Sequence, residues 1–364
     1  MSALSPGQRA IRLSGSVLAI LSLPVSACGR SDTLVSSEAP LLPADSIAPG
    51  DTIPPPPPGS DSTVPPPLGP DSTAPLPDSV APPPPPPVDS GPVVPPAPPP
   101  VHVGIPFGPF HLPPSLYGPK FTGAYLAAVP STLLANLEAA RWANARVLLN
   151  FTGHNKWFRD SHGFNLEQWK ARVDHFRGLD LSSYIADGTI IGHFIMDEPS
   201  DSRDWNGTVV SLEDIDEMAR YSKEIWPSMT TIIRAWPAYL EGYHYQYLDA
   251  AWAQYNGRRF PDMDAFIAEN VEGAKAAGLA LVAGLNVLAG GLDGPLGFYR
   301  DRHAMSASEL RTWGRALMSE PYICAVINWR YNAQYFALPE IQSAFEDLNQ
   351  KAQTHPKKSC QKER

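Results

Sequence analysis

A near-continuous apolar run, Gly192-His193-Phe194-Ile195-Met196, stops at two adjacent carboxylates and a proline, Asp197-Glu198-Pro199. A carboxylate set beside a buried strand end is costly to keep without a use, so Glu198 and Asp197 are candidates for acid–base chemistry. An apolar run without alternation is the pattern of a parallel strand buried on both faces. Pro199 has no N–H to give to the ladder and ends the pairing. The two carboxylates are therefore expected at the carboxyl end of a buried parallel strand, which in barrels is the catalytic end.

Other strand ends supply a polar and aromatic set. Asn150 is followed by His154, Asn155 and Trp157, and later ends carry Arg234 with Trp236 and Gln254 with Tyr255. The last two ends carry Asn286 and the run Asn328-Trp329-Arg330. Aromatic faces stack on the C–H faces of sugar rings, and amides, guanidinium groups and carboxylates satisfy hydroxyls. A barrel rim of this kind suits a carbohydrate. Each residue also has a structural use: Arg234 as ion-pair partner of the carboxylates, the tryptophans as loop packing, Asn286 and Asn328 as partners of loop carbonyls. No HxH or HExxH spacing supports a metal site, and no cofactor is expected.

The elements that would position this set fill residues 101–355, close to the ~250 residues of a (β/α)8 barrel. Strands are expected over 121–128, 146–151, 189–196, 230–235, 248–255, 279–288 and 323–329. The eighth falls at 103–110, made irregular by Pro106 and Pro109. Helices lie between them, one capped by Ser131, another by Ser211 with Asp214 three residues on, and one over 262–277 closed by Gly278. Alternating strands and helices imply a parallel sheet. The fold class is α/β, with a closed TIM-type barrel first and an open doubly wound sheet second. No Gly-x-Gly-x-x-Gly follows an early strand, which weighs against nucleotide binding.

The stretch 189–199, with the barrel pattern around it, resembles the TIM-barrel glycoside hydrolase superfamily, in which a strand ending in Asn-Glu-Pro or Asp-Glu-Pro presents the acid/base glutamate. The resemblance implies that Glu198 protonates the glycosidic oxygen, with its pKa raised by burial beside a second carboxylate. It also implies a sugar-stacking role for Trp329. It calls for a partner carboxylate ~5–5.5 Å away for retention or ~6.5–9.5 Å for inversion. The family's nucleophile ends a late strand, whereas the late strands here end in Asn286 and Asn328-Trp329-Arg330. Three substitutes exist: Asp197, which faces away from Glu198 unless a bulge intervenes; Asp293 on a glycine-rich loop; and Glu241. The implied activity is glycoside hydrolysis. The alternative is a catalytically silent barrel that captures carbohydrate for partner proteins, and a third is an adhesion or scaffold lipoprotein.

Ahead of the barrel, residues 1–27 read as an export signal: Arg9 and Arg12, then an apolar core from Leu13 to Leu23, too short to span a bilayer. Val25-Ser26-Ala27-Cys28 resembles the bacterial lipobox, which implies lipidation at Cys28 and a membrane anchor. Gly29 then points to the outer membrane in diderm bacteria. Residues 28–100 form a disordered spacer with imperfect Asp-Ser repeats, and 26 of the 42 prolines fall between 40 and 100. Its eight acidic residues account for most of the net charge of −9. No basic field points to nucleic acid. Cys324 is expected as a buried, inert thiol in a strand; pairing with Cys360 in the polar tail 356–364 is the alternative in an oxidising compartment.

Overall fold

The computed structural model describes residues 101–356 and 359–362. The export signal, Cys28 and the proline-rich spacer lie outside the described residues.

Eight parallel strands form one sheet: β1 Phe107–Pro109, β2 Gly123–Ala127, β3 Arg146–Asn150, β4 Ile190–Asp197, β5 Thr231–Arg234, β6 Ala250–Tyr255, β7 Ala280–Leu285 and β8 Ile323–Asn328. Neighbours in sequence are neighbours in the sheet from β2 to β8, and β1 pairs with β8 through Phe107–Val326, Gly108–Ile327 and Pro109–Asn328. Phe110 and Tyr125 bridge β1 to β2 in parallel, which brings the ends of the sheet together as a barrel. The two edges approach so closely that a Cβ on Gly108 would lie 1.7 Å from the Gly123 carbonyl oxygen. The closed barrel is thus the observed architecture, and the irregular strand near Pro106 and Pro109 is its eighth stave.

Helices cover the outside. Leu133–Trp142 packs Leu133, Leu137 and Ala140 inward, and Leu212–Ile225 is capped by Ser211, whose hydroxyl accepts from the Asp214 N–H at 3.0 Å. Met263–Ala276 ends before Gly278, which takes the left-handed conformation that glycine tolerates best. The helix Ala307–Leu317 starts with a capping box between Ser306 and Glu309. Ser131 does not cap the first helix: Thr132 precedes it and makes no side-chain cap bond. The free thiol expected at Cys324 is also corrected, because Cys324 on β8 is disulfide-bonded to Cys360. The bond fastens the carboxyl-terminal tail to the barrel wall.

Two cores result. Between sheet and helices lie residues such as Val147, Leu149, Trp169 and Ile215. His193 joins this outer layer, packed on Phe151 and Trp169, and burial holds its pKa down to about 3, so the ring is neutral. Inside the barrel, Phe110 stacks on Tyr125 at 4.3 Å, and Phe194 and Trp252 complete an aromatic plug. This plug is the floor on which the site rests.

Candidate active site

Strand β4 carries the irregularity that builds the site. Phe194 pairs with Ile232 of β5, but the next pair is Met196–Ile233, so Ile195 is an extra residue. Phe194 faces the barrel interior, whereas Ile195 and Met196 both join the outer layer. A bulge of this kind resets the alternation by one residue. The Ile195 carbonyl accepts a bond from the Trp169 indole at 2.8 Å. Asp197 consequently turns inward, opposite Arg234. Glu198 leaves the strand with φ +44°, a left-handed conformation that a side chain rarely adopts and that clusters at functional sites. Asp197 and Glu198 do not face apart: both reach the same guanidinium.

Arg234 donates through Nε to Asp197 Oδ1 and through Nη1 to the Gln254 amide oxygen, and its Nη2 lies 3.1 Å from Glu198 Oε1. Burial disfavours the charge of Arg234, but Asp197 and Glu198 outweigh burial and raise its pKa. Burial also dominates at Glu198. It pushes the carboxyl up from 4.5 to about 7; Arg234 opposes the shift, and Asp197, Asp201 and Asp204 reinforce it.

The carboxyl ends of the strands open into a cleft. Phe110, Tyr125 and Phe194 form its floor, and Asp197, Glu198 and Asp204 supply its carboxylates. His111, Asn150, Gly153, His154 and Asn155 line one wall, and Trp329 and Arg330 line another. Trp329 is held edge-on by Tyr299 at 4.7 Å. Asn155 is buried and donates to the Asp197 carbonyl at 3.2 Å and to Asp204 Oδ2 at 3.1 Å. Burial, joined by Lys156, lowers the pKa of His154, against an opposing pull from Asp204 and Asp197.

Of the residues singled out by sequence, Glu198, Asp197, His154, Asn155, Trp329 and Arg330 line this cleft, and Arg234 holds its carboxylates in place. Six others do not line it. Tyr255 is fully buried against Phe266 and Trp313, with its hydroxyl on the Phe260 carbonyl. Trp236 packs on Phe260 and Phe266. Asn286 accepts from the Ala289 N–H, and Asn328 is buried with Oδ1 on the Leu285 N–H at 2.9 Å. Asp293 is exposed on the loop after β7, and Glu241 is exposed after the short helix Pro237–Leu240. Residues missed by sequence are the floor aromatics, His111 and above all Asp204. Its loop has no periodicity to mark it; the one available cue was its place beside a tryptophan, Trp205, which proves to be a buried anchor.

No family model matches this sequence, and no curated protein matches it. Among solved structures, it is similar to a candidate α-L-fucosidase from Bacteroides thetaiotaomicron, at 14% identity over 74% of this chain and 100% of that one, TM-score 0.47. It is also similar to the catalytic domain of the major endoglucanase from Xanthomonas campestris, at 12% identity over 70% and 95%, TM-score 0.44. A third is an endocellulase from Pyrococcus horikoshii, at 11% identity over 69% and 93%, TM-score 0.45. At such identities and TM-scores a likeness transfers no activity.

Proposed function

We propose that the cleft binds a carbohydrate and hydrolyses a glycosidic bond, with Glu198 as the proton donor. One observation carries the reading: a carboxyl at the catalytic end of a barrel, facing a cleft, whose burial keeps its proton up to about pH 7. An ordinary glutamate would be ionised there and have no proton to give. Trp329, buried except for 5% of its surface, and the exposed His154 line the cleft where a sugar ring and its hydroxyls would sit. Arg234 fixes the direction of Glu198 and pairs with Asp197 beside it. Asp197 is thereby committed to Arg234 and serves the site as its electrostatic frame.

A second reading, a barrel that holds carbohydrate without turnover, is favoured by the end of β7. There Asn286 stands instead of a carboxylate and spends its side chain on the Ala289 N–H. In either case we place the protein outside the cytoplasm, tethered by lipid at Cys28. The Cys324–Cys360 disulfide suits an oxidising compartment. A Cys28→Ser substitution should move the protein from the membrane to the soluble fraction.

The two readings separate on a panel of polysaccharides and 4-nitrophenyl glycosides incubated with wild type and Glu198→Gln. Hydrolysis by wild type, reduced by roughly 10²–10⁴-fold in the variant, supports the acid role. Glycan binding without product in both proteins supports the silent barrel, and neither binding nor product defeats both.

A further inference from the structure

We propose that Asp204 is the second catalytic carboxylate, the base that takes a proton from the attacking water. The inference rests on the hydrolase reading and supplies the partner that the late strands lack.

Asp204 lines the same cleft as Glu198, and the other two carboxylates of that cleft are committed. Asp197 is spent on Arg234, and Glu198 is the acid. Nearby Asp201 is tied to Arg203 by bonds of 2.6 and 2.9 Å. Asp204 receives one bond, from Asn155 to Oδ2, which leaves Oδ1 without a protein partner among the described residues. An ionised carboxylate has lone pairs for more than one donor, so a water molecule fits the vacant oxygen.

The loop is built to hold this group still. Trp205 is fully buried, and its indole donates to the Glu198 carbonyl at 3.0 Å, so acid and base share one anchor. The Asp204 carbonyl accepts from Arg159 Nη1 at 2.6 Å, and its N–H bonds to the Asp201 carbonyl at 2.9 Å. A Cβ on Gly163 would collide with Thr208 Oγ1 at 2.3 Å and the Trp205 carbonyl oxygen at 2.8 Å, so the loop packs closely against that glycine. Burial raises the Asp204 pKa, partly offset by the Asn155 bond, which makes it a stronger base than an exposed aspartate.

Glu198 gives its proton to the glycosidic oxygen as the bond to the anomeric carbon breaks and its electron pair stays with that oxygen. Water attacks the anomeric carbon and passes its proton to Asp204. Exchange with solvent reprotonates Glu198 and deprotonates Asp204. This route inverts the anomeric configuration.

The test compares wild type, Glu198→Gln and Asp204→Asn on two aryl glycosides of one sugar, with 4-nitrophenyl and 2,4-dinitrophenyl leaving groups. The better leaving group needs no acid, so Glu198→Gln should recover on it. Asp204→Asn should stay at least 100-fold down on both. Sodium azide should restore turnover to Asp204→Ala, an effect that a structural role would not give, and proton NMR of the first product should show inversion. Turnover by wild type that falls in Glu198→Gln but stays within a few-fold in Asp204→Asn overturns the Asp204 assignment and leaves the hydrolase reading standing. Retention of configuration, or no rescue by azide, overturns the assignment as well. No turnover by wild type on any glycoside overturns the hydrolase reading, and the assignment falls with it.

Discussion

Replacing Glu198 with glutamine should make the barrel more stable at alkaline pH, because the folded protein holds this carboxyl against its ionisation. The folded pKa of about 7 stands above the ordinary 4.5, so between those values the native state binds more protons than the unfolded one. Stability falls as pH rises wherever the native state binds more protons. The cost of Glu198 is absent well below 4.5, grows from pH 4.5 to about 7, and is constant above that. With a pKa unit worth about 1.4 kcal/mol, the full cost is ~3 kcal/mol. Less than 1 kcal/mol of it is present at pH 5, so about 2–3 kcal/mol accrues between pH 5 and pH 8. The side chain is 25% exposed, so little of this is screened away. Glutamine has the same shape and never ionises, so it removes the pH-dependent part. Urea unfolding of both proteins at pH 5 and pH 8 measures it. The stability gap should move in favour of the variant by about 2–3 kcal/mol from the lower to the higher pH. A gap that is the same at both would show that Glu198 titrates like a surface glutamate and is not held protonated by burial.

Replacing Arg234 with methionine removes the cation that opposes the shift at Glu198, so the alkaline limb of the pH–rate profile should move up by roughly 1–3 units. The same change strands Asp197 and should cost about 3–5 kcal/mol of stability, read by denaturant unfolding. Trp329→Ala should raise KM about tenfold or more with the fold intact, whereas Trp236→Ala should lower Tm and leave KM alone, since Trp236 packs away from the cleft. Cys360→Ser opens a loop of 36 residues and should cost ~3–4 kcal/mol, which reduction of the wild type should reproduce in calorimetry.

The architecture was legible because the strands are buried on both faces and their apolar runs stand out, down to the irregular stave at Phe107–Pro109. The site was legible only in part. Taking the last residues of every strand ignored the two-residue period of side-chain direction. On β6 Trp252 and Gln254 point inward, which sends Tyr255 into the outer layer, and that parity was readable from the sequence. The bulge at Ile195 was not readable, because Ile195 and Met196 are both apolar and suit either face. Without it Asp197 would point away from Arg234. Asp204 lay in a loop fixed by tertiary contacts to Asn155, Arg159 and Glu198, and no local pattern reports those.

The most direct measurement is a crystal structure of Glu198→Gln soaked with whichever oligosaccharide the wild type cleaves. The scissile glycosidic oxygen should lie within about 3 Å of the side chain at position 198, with a sugar ring against Trp329. An oligosaccharide seated elsewhere on the barrel, or with its glycosidic bond out of reach of position 198, would contradict it.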